Sequence, residues 1–210
     1  MTTLTFYYHP ATCALGVQIA LLEVGVAHKT VHVDLAGDRS GYRKINPLGT
    51  VPALQTDAGV LTESTAIMSW LAQSYPAAGL LPADAYGLAN GLSFLAWLSS
   101  SAHIARRQTK MPARFNDEPG CHAGIRESGA RQFMLHLQRI DSRLQSDAYV
   151  LGGEKPSACD YQLMVYAHWC AIDGVGLSRF PNFERWLERM RKREAVQEAL
   201  RVVDSPLLTR

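Results

Sequence analysis

Leu4-Thr5-Phe6-Tyr7-Tyr8-His9-Pro10-Ala11-Thr12-Cys13-Ala14-Leu15-Gly16-Val17-Gln18-Ile19-Ala20-Leu21-Leu22-Glu23-Val24-Gly25 is the stretch that decides the fold. Leu4, Phe6 and Tyr8 alternate with Thr5 and Tyr7 at the period of a strand. His9-Pro10-Ala11-Thr12 breaks the run, and from Leu15 the apolar residues recur at helical spacing through Ile19 and Leu22. Pro10 enforces the turn and Gly25 ends the helix. Cys13 therefore stands where the helix begins. Unpaired backbone N–H groups and the positive end of the helix dipole favour an anion there, so the thiol is expected to ionise more readily than a free cysteine. The competing reading is a small buried hydrophobe that happens to contain sulfur.

Outward from this unit, Lys29 to Asp34 alternates as a half-buried strand. The strand-helix-strand spacing implies a parallel, right-handed crossover. Residues 35–45 read as a polar loop with at most one helical turn. Asn46-Pro47-Leu48-Gly49 is a turn before a short strand, Thr50 to Gln55, and Asp57-Ala58-Gly59 is a hairpin into Val60-Leu61-Thr62. A helix then runs from Glu63-Ser64, with Ile67, Trp70 and Leu71 on one face, until Tyr75-Pro76. Residues 1–76 thus form a small α/β layer, 77–85 a linker and 86–210 an all-helical domain.

In the helical part, Tyr86 to about Thr109 reads as one long segment and Cys121 to Gln145 as a second. A short apolar crossing at 149–153 comes next. Ser157 and Asp160 then form a capping box ahead of a buried helix, Tyr161 to about Asp173, and two further segments span Pro181–Arg193 and Glu194–Val202. Trp70, Trp97, Trp169 and Trp186 lie on apolar stripes and are expected in the core.

The 210 residues include 21 basic and 19 acidic ones, a net charge of +2 that gives no sign of a nucleic-acid partner. Cys13, Cys121, Cys159 and Cys170 stand far apart, with no Cys-x-x-Cys pair and no zinc-like His spacing. Neither a disulfide framework nor a metal site is indicated, and the usage suits a reducing cytoplasm. No run approaches the ~20 apolar residues of a membrane span, and the N-terminus has no secretory signal pattern. The last three cysteines are expected to be structural.

Tyr7-Tyr8-His9-Pro10-Ala11-Thr12-Cys13, Asn46-Pro47-Leu48-Gly49-Thr50-Val51-Pro52-Ala53-Leu54, Leu61-Thr62-Glu63-Ser64-Thr65-Ala66-Ile67 and Ser157-Ala158-Cys159-Asp160 together resemble the glutathione transferases, most closely the bacterial beta-class-like, cysteine-type members. The resemblance spans essentially the whole chain. It implies a thioredoxin-like N-terminal domain, an all-α C-terminal domain, a homodimer, and glutathione as cosubstrate with no metal. An extended tripeptide with two carboxylates needs a strand edge for its backbone and an anion site at its ends. Val51-Pro52, cis in the family, offers the edge. Ser64 at a helix start would hold the γ-glutamyl carboxylate, with Glu63 facing its ammonium. An edge proline and a plain helix cap are the alternative readings of these residues.

His103 resembles the family's second-domain histidine that faces the sulfur. The alternative is a solvated or internally satisfied side chain. Three positions depart from the beta-class pattern: Ile104 for lysine, Ala96 for asparagine and Ala14 for serine. Arg106, Arg107 and Lys110 would either line the cleft mouth and attract an acidic substrate or form a solvated basic face. The expected activity is glutathione-dependent thiol-disulfide or peroxide reduction or transfer at Cys13. Its alternatives are conjugation of glutathione to hydrophobic electrophiles and a non-enzymatic binding or docking protein. The second substrate, a hydrophobic electrophile or a disulfide or peroxide, is not legible.

Overall fold

The computed structural model describes residues 4–208. In chain order its elements are β1 (Leu4–Tyr8), α1 (Ala14–Val24), β2 (His28–His32), the single turn α2 (Ser40–Arg43), β3 (Ala53–Thr56), β4 (Gly59–Thr62) and α3 (Ser64–Ser74). The helices α4 (Ala85–Trp97), α5 (His103–Lys110), α6 (His122–Arg143), α7 (Ala158–Asp173), α8 (Pro181–Met190) and α9 (Glu194–Val202) make up the rest. The sheet order is β2-β1-β3-β4. β1 pairs parallel with β2 and antiparallel with β3, and β3 pairs antiparallel with β4. α1 supplies the connection that a parallel pair requires.

Phe6 on β1 is opposite Leu54 on β3, and both are fully buried beneath the helices. The other sheet face is closed by a smaller cluster, Tyr7, Val33, Val51 and Ala53, with Leu35, Tyr42 and Ile45 laid over it. β2 is not half-buried: it is an edge strand whose last four residues are exposed, and Val33 is buried just beyond its end.

α1 is buried from Ala14 to Leu21, more than one apolar stripe requires. It packs on β1 and α3 on one side and on α7 and α9 on the other, and a helix surrounded by partners is apolar all round. One core therefore runs through both halves of the chain. The residues read as a linker contribute to it: Leu80 and Leu81 are buried, and the Leu80 carbonyl accepts the Ala158 N–H at 2.8 Å. Glu23 at the end of α1 meets Arg193 in a two-point ion pair, both contacts 2.7 Å.

The capping box at Ser157 and Asp160 is present, and its carboxylate does more than cap. Asp160 accepts from the Ser157 N–H and hydroxyl, the Val150 N–H and the Trp186 indole at 2.8–2.9 Å. A carboxylate with four donors is tolerable in a core where a bare one is not.

The segment from Tyr86 to Thr109 is not one regular helix. Leu98–Ala102 is a π-helical turn between α4 and α5. Ser99 lies within it and its hydroxyl donates to the carbonyls of Leu95 and Ala96, the kind of side-chain competition that loosens helical bonding. A π turn adds a residue to the helix and re-aims the side chains beyond it, here His103. The whole is a thioredoxin-like α/β domain carrying an all-helical domain.

Candidate functional site

The corner between β1 and α1 is held from both halves of the chain. Thr12 donates from Oγ1 to the His9 carbonyl at 2.6 Å. Ala11 sits at φ 58°, a left-handed conformation rare for a residue with a Cβ, and its carbonyl accepts the Trp169 indole N–H from α7 at 2.8 Å. Cys13 is thereby fixed as the residue before α1, half-buried, with Sγ 3.7 Å from the Val51 carbonyl.

The Val51–Pro52 peptide is cis. Glu63, exposed just before α3, has φ 68°, and Ser64 opens α3 with its hydroxyl 3.4 Å from the Cys13 carbonyl, to which it donates. The first backbone N–H groups of α3 have no partner within the helix, and Glu63, Ser64 and Thr65 line the cleft. Cys13, Val51, Pro52, Glu63, Ser64 and His103 all line one cavity of about 170 Å³. A second recess of about 180 Å³ opens beside it and shares Cys13, Thr50, Val51, His103 and Arg107. A larger concavity, about 810 Å³, lies along α8 and α9 and contains none of the six.

Two titrations depart from the sequence expectation. Burial pushes the Cys13 thiol up, and the Glu63 carboxylate adds to this. The Ser64 hydroxyl, Cys13's own backbone N–H and the Arg107 guanidinium act in the opposite sense without prevailing. Burial thus acts against the easier ionisation that the helix start suggests. His103 is lowered to about 4, chiefly by burial and then by Arg107 and Arg106, so it is a neutral imidazole at pH 7.

Several lining residues carried no signal in the sequence. Trp169 is buried like the core tryptophan expected, but it also forms a wall of the second recess. Its ring lies 4.8 Å from His103 and 4.4 Å from the Arg106 guanidinium. Tyr166, Gln162 and Ser99 line the first cavity. Arg106 is largely buried and Lys110 is exposed, and both hold Asp173, at 2.8 and 2.9 Å. Cys159 and Cys170 are buried and burial pushes both to about 12, as structural cysteines should be, whereas Cys121 is exposed. Among the described residues no cluster is placed to hold a metal ion, and no helix is long and apolar enough to cross a membrane.

A family model for the glutathione S-transferase N-terminal domain matches residues 13–79. Glutathione S-transferase GstA of Escherichia coli O157:H7 is 28% identical over 200 residues, covering 92% of this chain and 96% of that one. A bacterial beta class glutathione S-transferase from Sphingomonas chungbukensis superposes with a TM-score of 0.83 at 31% identity, over 97% of this chain and 100% of that one. A glutathione transferase homologue from Sulfitobacter, solved with bound glutathione, superposes with a TM-score of 0.88 at 29% identity, over 96% and 98% of the two chains. The chain belongs to the glutathione S-transferase family.

Proposed function

We propose that this transferase is a cysteine-type, beta-class-like member that acts as a homodimer in the cytoplasm. In this reading it binds glutathione along Val51-Pro52 and at Glu63-Ser64 and reduces glutathione mixed disulfides through Cys13. The observation that carries the reading is that Cys13 is, among the described residues, the sole thiol lining the cavity shared by the cis Val51–Pro52 edge and the Glu63–Ser64 corner. The Cys13 thiolate attacks the glutathionyl sulfur of R–S–S–G, forming Cys13–S–S–G and releasing R–S⁻, which takes up the proton that left Cys13. A second glutathione thiolate then attacks the sulfur of the bound glutathionyl group, giving oxidised glutathione and restoring Cys13. The sulfur of the incoming glutathione is oxidised and the R sulfur is reduced, so R–S–S–G and one glutathione become R–SH and oxidised glutathione. Neutral His103 at the same cavity can hydrogen-bond the departing or arriving sulfur.

Burial of Cys13 favours a second reading. A thiol that stays protonated at neutral pH is a hydrogen-bond donor, and it would stabilise the thiolate of bound glutathione during attack on an electrophile. Intact mass after incubation with oxidised glutathione separates the two. The first reading expects one glutathionyl adduct, at Cys13, and loss of disulfide reductase activity in Cys13→Ser. No adduct, with conjugation surviving in Cys13→Ser, establishes the second. Glutathione binding itself is read by melting: near 100 times its Kd the ligand should add about 2.7 kcal/mol. Glu63→Gln should reduce that gain, and an equal gain in both proteins removes Glu63 from the site.

A further inference from the structure

The second recess is asymmetric in charge. Arg39, Arg106, Arg107, Lys110 and Arg114 all reach its lining, and among the described residues no carboxylate does. Two of the five are already engaged, since Arg106 and Lys110 share Asp173 at 2.8 and 2.9 Å. Arg39 donates to the Gly49 carbonyl at 3.1 Å. Arg107 is half-buried, yet among the described residues it has neither an ion-pair nor a hydrogen-bond partner. A guanidinium taken partly out of water without a partner is unfavourable, and its planar fork fits a carboxylate.

The same field acts on His103, whose neutral form is favoured by burial and then by Arg107 and Arg106. The lining also includes apolar side chains, the Trp169 ring and Met111, which is 47% exposed. The recess lining therefore combines apolar side chains, the Cys13 thiol and a cation that has no side-chain partner among the described residues.

We propose that this recess takes a second substrate bearing a carboxylate on an apolar body, the anionic group held by Arg107 with Lys110 and Arg114 at the rim, and the body lying against Trp169 and Met111. The proposal rests on the reading that glutathione occupies the neighbouring cavity, and it names the class of compound that meets it there. Neutral and cationic analogues are disfavoured, because they leave Arg107 unpaired or repel it.

The test is calorimetric titration of the whole protein, saturated with S-methylglutathione, with 4-nitrobenzoate and with 4-nitrobenzamide, ligands of one shape that differ in charge. The carboxylate is expected to bind at least tenfold more tightly at low salt, with the advantage shrinking as ionic strength rises. Arg107→Gln should bring the carboxylate down to the affinity of the amide, and Arg107→Lys should keep part of the preference. Removing an arginine that has no protein partner leaves nothing orphaned, so the variant is expected to fold; its melting curve checks this. Equal affinities in the unmodified protein overturn the proposal. So does a preference that survives Arg107→Gln, and if that variant loses S-methylglutathione affinity instead, Arg107 belongs to the tripeptide's own carboxylate. Failure of S-methylglutathione to bind at all is a separate result, and it counts against the glutathione cavity itself.

Discussion

The Tyr166 hydroxyl donates at 2.5 Å to the carbonyl of Leu98, the same oxygen that accepts the His103 backbone N–H across the π turn. One buried phenol on α7 thus secures the irregular turn that sets where His103 enters the cleft. Tyr166→Phe keeps the ring and removes that bond, at a cost of about 1 kcal/mol in stability. Turnover should fall by more than glutathione-induced stabilisation does, because a shifted imidazole affects the reacting sulfur before it affects ground-state binding. Denaturant unfolding and steady-state kinetics on the same preparation check both. Unchanged kcat beside a lowered midpoint would make the bond purely structural.

The buried thiol gives a pH profile opposite to the one a helix start suggests. In the ligand-free protein Cys13 should alkylate with a midpoint above the ordinary cysteine value of about 8.5, since burial is the largest influence on it and raises it. Ser64→Ala removes an influence that lowers it and should move the midpoint higher still. Iodoacetamide rates against pH measure this. A midpoint below 8.5 would show that the dipole and Arg107 outweigh desolvation after all.

That reversal marks what sequence could and could not carry. The strand-turn-helix around Cys13, the proline at 52 and the Glu63–Ser64 corner were legible because each is written in local chemistry: a period, a turn residue, a cap. Part of the candidate cavity follows from them, and Ser99, Gln162 and Tyr166 complete it. Desolvation of Cys13 was not legible, as it depends on how residues of α3, α5 and α7 come together around it. The same holds for Trp169, whose helical spacing gives a core position but not which cavity the ring also walls. The π turn left only a faint trace, three serines in a row at Ser99-Ser100-Ser101. Arg107 differs from its neighbour Arg106 only through Asp173, which is far away along the chain.

His168 makes stability depend on pH. Its Nδ1 shares a hydrogen with the Ser205 hydroxyl at 2.8 Å, while its buried Nε2 has no partner among the described residues, and burial first and Arg106 second lower it to about 4. Between pH 6.5 and about 4 the unfolded chain takes up a proton at this residue and the folded protein does not. Stability therefore falls with falling pH across that window, by on the order of 3 kcal/mol for a group this buried. His103 acts in the same direction. Asp160, whose carboxyl burial pushes up, acts in the opposite one, so the informative quantity is a difference. His168→Gln should be less stable at pH 7 but lose less on going to pH 4.5, as read by urea midpoints. Parallel losses in the two proteins would mean that His168 already carries charge when folded.

The final prediction concerns the contact that seats the reactive helix. A methyl added at Gly16 would come within 2.5 Å of the Gln162 side-chain oxygen, 2.8 Å of the Gln162 Cα and 3.0 Å of the Tyr161 carbonyl. The first neighbour can rotate away, but the other two are backbone of α7, so α1 and α7 would have to separate. Gly16→Ala gains up to about 1 kcal/mol of helix propensity, against the 1–3 kcal/mol or more typical of overpacking, and a net loss is expected. Gly124, exposed near the start of α6, has nothing within 4 Å of such a methyl, and Gly124→Ala should leave stability unchanged or raise it slightly. The pair separates close approach from propensity. Because α1 begins beside Cys13 and Gln162 lines the same candidate cavity, Gly16→Ala should also slow glutathionylation of Cys13, whereas Gly124→Ala should not. A Gly16→Ala protein as stable and as reactive as the parent would mean that α1 and α7 can separate freely, and the rigid corner argued for Cys13 would not exist.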